Sequence, residues 1–135
     1  MLRKSLLAIG FVYACCLASI AQAQETPTHT KESLAEVKKN VDSGKAVILD
    51  VREQSEWDAG HVKGAILMPR SKLTVDSELA GLLKQLPKDK VIYTHCRAGG
   101  RALACGEILK KHGYDVRPLK PGYEELIKAG FEKAP

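Results

Sequence analysis

Aromatic side chains are scarce in this chain of 135 residues: two Phe, four Tyr and one Trp make up 5% of it. Proteins that hold nucleic acid need rings for bases to stack on or a basic stripe along the backbone path. Here the rings are few and the formal charge of +5 is scattered, so a nucleic-acid partner is not expected. Cysteine is equally sparse, with four residues of which two, Cys15 and Cys16, lie near the start. Four histidines and the two remaining cysteines form no paired spacing of the kind that holds zinc, so no metal is expected. Internal repeats and long linkers are missing too. The length suits one domain.

Beyond residue 23 no apolar run is long enough to span a bilayer. The first 23 residues read instead as a secretory signal peptide: Arg3 and Lys4 open it, residues 5–20 carry no charge, and Ala21-Gln22-Ala23 is a cleavage site. An uncleaved anchor, or a lipid on Cys15, are the alternatives. Cleavage after Ala23 leaves 112 residues, removes Cys15 and Cys16, and lowers the formal charge from +5 to +3 through loss of Arg3 and Lys4. The expected location is periplasmic or secreted, with no membrane attachment after cleavage. Residues 24–30 read as a flexible leader and 31–135 as the folded domain.

Helical spacing of Leu34, Val37 and Val41 predicts a first helix running on from Thr30, with Gly44 as its stop. Residues 46–51 form a continuous apolar run, as in a parallel strand covered on both faces. A short helix over 54–59, a strand over 65–68 closed by Pro69, and a helix capped by Ser77 and stopped by Pro87 follow. The third strand covers 91–95 and leads to a helix over 101–112. A short strand over 115–119, nearer a sheet edge because of Pro118, and a helix over 123–129 complete the chain. Strands alternating with helices predict one α/β domain, with a mainly parallel sheet of four to five strands and helices on both faces.

Ligands in such sheets bind beyond the carboxyl ends of the strands, and there the sequence places Cys96-Arg97-Ala98-Gly99-Gly100-Arg101. A sulfur at a strand end, facing a helix N-terminus, meets unpaired N–H groups and the positive end of the helix dipole. The two glycines let successive amides turn inward as a nest for an anion. Arg97 and Arg101 add positive charge. Such surroundings favour the thiolate, the nucleophilic form of cysteine. The competing reading is a buried strand-end cysteine beside a surface turn.

The residues also resemble a known family. Leu49-Asp50-Val51-Arg52-Glu53, Glu56-Trp57 and Gly60-His61-Val62-Lys63-Gly64-Ala65 are similar to the first signature of single-domain rhodaneses. Cys96 to Arg101 resembles their loop, Cys-x-x-Gly-x-Arg, and Leu119-Lys120-Pro121-Gly122-Tyr123 with Ala129-Gly130-Phe131 their closing element. Pro121 and Leu126 depart from that pattern, where the family usually has glycine and tryptophan. The resemblance implies a thiosulfate sulfurtransferase-like enzyme without cofactor. Cys96 carries a sulfane sulfur as a persulfide, from a small anionic donor to cyanide, a thiol or a protein acceptor. The backbone from Arg97 through Ala98, Gly99, Gly100 and Arg101 binds the anion. Arg101 grips a sulfonate-like group or braces the loop, and Arg97 points outward to steer anions. Asp50 and Arg52 support the pocket.

The remaining marked residues carry structural expectations. His61 hydrogen-bonds backbone, His95 faces away from Cys96 because adjacent strand residues point to opposite sides, and Trp57 packs its helix. Cys105, on a helix face with Ala102 and Leu109, is a core residue, with the alternative that it pairs with or resolves Cys96. Two rival functions stay open. One is a phosphatase or arsenate reductase, whose related loop has one residue more between cysteine and arginine. The other is a partner-binding module without catalysis.

Overall fold

The computed structural model describes residues 25–135, so the signal segment and its cleavage site lie outside the described residues. Nine elements follow in order: α1 Leu34–Asp42, β1 Ala46–Asp50, α2 Gln54–Asp58, β2 Ile66–Leu67, α3 Arg70–Leu73, α4 Asp76–Leu83, β3 Val91–His95, α5 Gly100–Lys111 and α6 Tyr123–Lys128. The strands form a parallel sheet in the order β2-β1-β3, with Asp50 opposite His95 at its carboxyl end.

Continuous apolarity in β1 follows from cover on both faces. Ala46 and Ile48 pack with Val37, Tyr93 and Leu126 beneath α1 and α6. Leu49 and Val51 face the other way, onto Met68, Ala102, Cys105 and Leu109 under α3 to α5. Leu126, at a position where the sequence departs from the family pattern, is fully buried in the first of these layers.

Residues 115–119 make a fourth lane rather than a full strand. Ile92 N–H donates to Asp115 O and Arg117 N–H to Ile92 O, each at 2.8 Å, and Leu119 N–H reaches Thr94 O at 2.8 Å. Arg117 and Leu119 thus aim their N–H groups inward, which leaves the missing N–H of Pro118 on the outer side, where an edge tolerates it. The described sheet therefore has three strands and this partial fourth.

Other differences have local causes. Helix α1 starts at Leu34, not near Thr30, because Ser33 and Glu36 form a capping box there: Glu36 N–H donates to Ser33 Oγ and Ser33 N–H to Glu36 Oε2. Helix α4 begins at Asp76 after Val75, so Ser77 lies inside it and does not cap it, and it ends at Leu83, ahead of Pro87. The stretch after Pro69 forms α3, a turn the sequence pattern does not predict, held by fully buried Leu73.

Candidate active site

Strand β3 delivers Cys96 to the carboxyl edge of the sheet, and the chain turns at Gly99, φ +93°, into α5. A left-handed φ at that point favours glycine, which has no Cβ to clash. The Cys96 side chain is buried, 2% exposed, against the α5 layer, and its sulfur accepts the Gly99 N–H at 3.1 Å. Of the amides expected around the sulfur, Gly99 is the one that bonds it among the described residues. Arg97, Ala98 and Gly100 are exposed, and Arg97 has no side-chain partner among the described residues. Arg97 is thus the loop's uncompensated cation.

Both ends of the loop are clamped. Arg101 makes a two-pronged pair with Glu56 of α2, Nη1 to Oε2 at 2.6 Å and Nη2 to Oε1 at 2.9 Å. The geometry is the bidentate one guanidinium favours. Arg101 holds the Glu56 carboxyl down to about 2, and Glu56 in turn raises the guanidinium, so the brace stays charged far into acid. Of the two roles open to Arg101, bracing is the one its contacts serve. At the other end, Gly122 lies against the Arg97 carbonyl so closely that any Cβ would strike it.

Beneath the loop, Asp50 and Arg52 form a buried ion pair. Arg52 Nε and Nη2 donate to both carboxylate oxygens at 2.7–3.1 Å, and its backbone N–H adds a bond to Oδ1 at 3.0 Å. Nη2 also reaches the Gly60 carbonyl at 2.9 Å, and the guanidinium lies over the Tyr123 ring at 4.7 Å. Arg52, Glu56, Gly60, Arg97 and Tyr123 line a cleft of about 510 Å³ beside the loop. With Arg52 and Arg101 each neutralised by a carboxylate, Arg97 is the unpaired cation at its wall, which Glu124 and Glu125 also line.

His95 pairs in register with Asp50 on the sheet face opposite the layer that holds Cys96, as alternation requires. Its Nδ1 lies 3.3 Å from the Cys96 carbonyl, which only accepts, so that nitrogen carries the proton. Its Nε2 is left without a hydrogen bond, 3.5 Å from Asp50 Oδ2. Burial pushes the imidazole below its ordinary value of 6.5, against a smaller opposing pull from Asp50. The ring is therefore neutral, and the nearby carboxylate does not make a salt bridge of it.

Cys105 is fully buried and unpaired, and burial raises its thiol to about 12. It stays protonated at ordinary pH, which fits a core residue and not a resolving thiol. His61 Nδ1 donates to the Trp57 carbonyl at 3.0 Å, as expected of it. Trp57 differs from expectation: its ring stacks on His61, centroids 3.6 Å apart, and belongs to neither core layer. Among the described residues no group of three or more His, Cys, Asp or Glu side chains is placed to hold a metal ion.

The family model of the rhodanese-like domain matches residues 33–129, which contain the loop, the ion pair and both clamps. The chain belongs to the rhodanese-like domain family. It is 35% identical over 95 residues to the probable adenylyltransferase/sulfurtransferase MoeZ of Mycobacterium tuberculosis, covering 70% of this chain and 22% of that protein. It thus spans about a fifth of that relative's length. Among solved structures, a rhodanese-related protein from Thermoplasma volcanium superposes with TM-score 0.61 and 27% identity, over 75% of this chain and 93% of the other. The human single-domain sulfurtransferase TSTD1 does so with TM-score 0.58 and 27% identity, over 77% and 97%. The rhodanese-like fold and its parallel sheet are therefore those the sequence implied.

Neutral, buried His95 makes this rhodanese-like domain acid-sensitive. A depressed value in the folded state means the unfolded chain binds the extra proton first, so the stability is present above about pH 6.5 and is lost below it. We expect the melting temperature to hold from pH 8 to about 6.5 and then fall. The loss should approach about 1.4 kcal/mol per pH unit at most, one proton's worth. His95→Asn, whose amide can still donate to the Cys96 carbonyl, should flatten the curve between about pH 6.5 and 5. Thermal melts of both proteins across that range check it.

Three participants in the site carry no signal of their role in the sequence. Glu56 stands inside a motif with its partner 45 residues on, Gly122 in the closing element, and His29 in the leader. Alternating charge at Glu56 and Arg101 offers no local signal, since neither periodicity nor capping links them.

Proposed function

We propose that this protein is a sulfurtransferase that moves a sulfane sulfur through a Cys96 persulfide. The Cys96 thiolate attacks the outer sulfur of thiosulfate; a sulfur–sulfur bond forms as the donor's own breaks, and its electron pair leaves on sulfite. A cyanide or thiolate acceptor, free or on a protein, then attacks the terminal sulfur, and the electron pair returns to Cys96. No net redox co-reactant is consumed in these two displacements, which form a ping-pong cycle. Among the observations, the Gly99 N–H on the Cys96 sulfur at 3.1 Å carries the reading, because a preorganised amide favours the anionic nucleophile and the anionic persulfide. The loop supports it further: four residues between Cys96 and Arg101 make a small ring, suited to one added sulfur and tight for a phosphate. Arg97, exposed and unpaired, is the cation an anionic donor meets at a cleft wall it shares with Glu124 and Glu125.

Export is part of the proposal, with the mature chain starting at Gln24 in the periplasm or outside the cell. One mass-spectrometric experiment tests both. Protein recovered from the exported fraction should have lost residues 1–23, and thiosulfate should add the mass of one sulfur atom that cyanide then removes. Cys105→Ala should form the same adduct. Absence of any adduct, together with hydrolysis of an aryl phosphate, would replace this reading with the phosphatase one.

A further inference from the structure

Among the described residues outside those that match the family, one side chain touches the loop's backbone. His29 Nε2 lies 3.0 Å from the Gly99 carbonyl, and since a carbonyl only accepts, Nε2–H is the donor. The segment carrying it is seated rather than loose. Thr30 N–H donates to the Pro118 carbonyl at 2.8 Å, on the outer edge of the fourth lane. Two residues later, Glu32 Oε1 receives the Tyr93 hydroxyl at 2.9 Å and Arg117 Nη1 at 2.9 Å. Residues 29–32 thus form a strap over the sheet edge, which otherwise shows open backbone groups.

Gly99 is the residue the strap meets. A Cβ on it would lie 2.6 Å from His29 Nε2 and 3.1 Å from the Lys120 backbone, so the glycine fills a slot between strap and closing element. Its N–H is the donor to the Cys96 sulfur, and its carbonyl accepts both His29 and the Leu103 N–H of α5. A planar trans peptide ties each carbonyl to the following N–H in the opposite sense. Holding Gly99 O from outside therefore also sets the direction of the Gly100 N–H. Glycine, with the widest backbone freedom of any residue, has no side chain of its own to resist rotation there.

We propose that His29 is a positioning residue for sulfur transfer: the strap clamps the Gly99 carbonyl and so holds in place the residue whose N–H is aimed at Cys96. The proposal rests on the persulfide reading for its kinetic consequence, though not for its structural one. The working domain then begins before the segment the family shares.

Two variants of the mature protein, His29→Ala and His29→Gln, test this by two independent readouts. The amide of glutamine can place an N–H near where imidazole Nε2 lies. Hydrogen exchange of the Gly99 amide, followed by NMR, should speed up about tenfold in His29→Ala as the unclamped glycine turns its N–H off the sulfur, and return to within about threefold in His29→Gln. For thiosulfate-to-cyanide transfer, His29→Ala should lower kcat about tenfold while KM changes less than about threefold, with kcat recovering in His29→Gln. The idea is overturned if His29→Ala leaves both readouts within twofold of wild type, or if glutamine is as damaging as alanine. A wild-type protein that transfers no sulfur sinks the persulfide reading alone, because amide exchange still judges the clamp.

Discussion

Replacing Cys96 with serine should lower sulfur transfer by at least about a thousandfold, since the nucleophile and the atom that carries the sulfur are the same. A serine hydroxyl is hardly ionised near neutral pH and forms no stable link to a sulfane sulfur. It can still accept the Gly99 N–H that now reaches the sulfur at 3.1 Å, so the loop keeps its shape. The cost to stability is expected to be about 1–2 kcal/mol, from putting a hydroxyl into an apolar layer. Steady-state transfer from thiosulfate to cyanide and a thermal melt on the same sample separate the two effects. Activity surviving in a folded Cys96→Ser protein would remove sulfur chemistry from this loop.

The second large effect concerns folding. Asp50→Asn should destabilise the domain by about 3–5 kcal/mol, because it leaves the Arg52 guanidinium buried without its counter-charge. Asp50 is fully buried and Arg52 is 6% exposed, so water cannot replace the lost carboxylate. Removing the pair together is a different matter. Asp50→Leu with Arg52→Met should recover most of the loss, since two desolvated charges give way to apolar volume, short of the bond to Gly60 and the contact with Tyr123. Urea unfolding midpoints of wild type, single and double variants provide the test. A single variant within about 1 kcal/mol of wild type would mean that water or another group reaches Arg52.

These expectations draw on features that differ in how far apart their partners lie in the chain. Asp50 and Arg52 are two residues apart at the end of an apolar run, and their pairing is a neighbour effect. The same holds for the Cys96 turn: the end of β3, the glycine at φ +93° and the start of α5 fall within six residues, 95–100. Even the opposed directions of His95 and Cys96 follow from the two-residue period of a strand. Element boundaries were less legible. Ser33 and Ser77 are both plausible caps by type, yet only Ser33 has a glutamate three residues on whose side chain reaches back, and only it caps. The lane at 115–119 is a strand by composition, but its pairing is cut short at the sheet edge.

By itself, then, the order of residues determined the α/β alternation, the parallel sheet with both faces covered and the cysteine at a strand's carboxyl end, while the supporting role of Asp50 and Arg52 was implied by the family resemblance. Those depend on backbone periodicity, turn chemistry and contacts a few residues long. Folding decided what closes the loop: Glu56 on Arg101 across 45 residues, Gly122 under the Arg97 carbonyl, and His29 on Gly99 across 70. Such contacts carry no local signature, because their geometry exists only once the sheet order brings α2, the closing element and the leader to one edge.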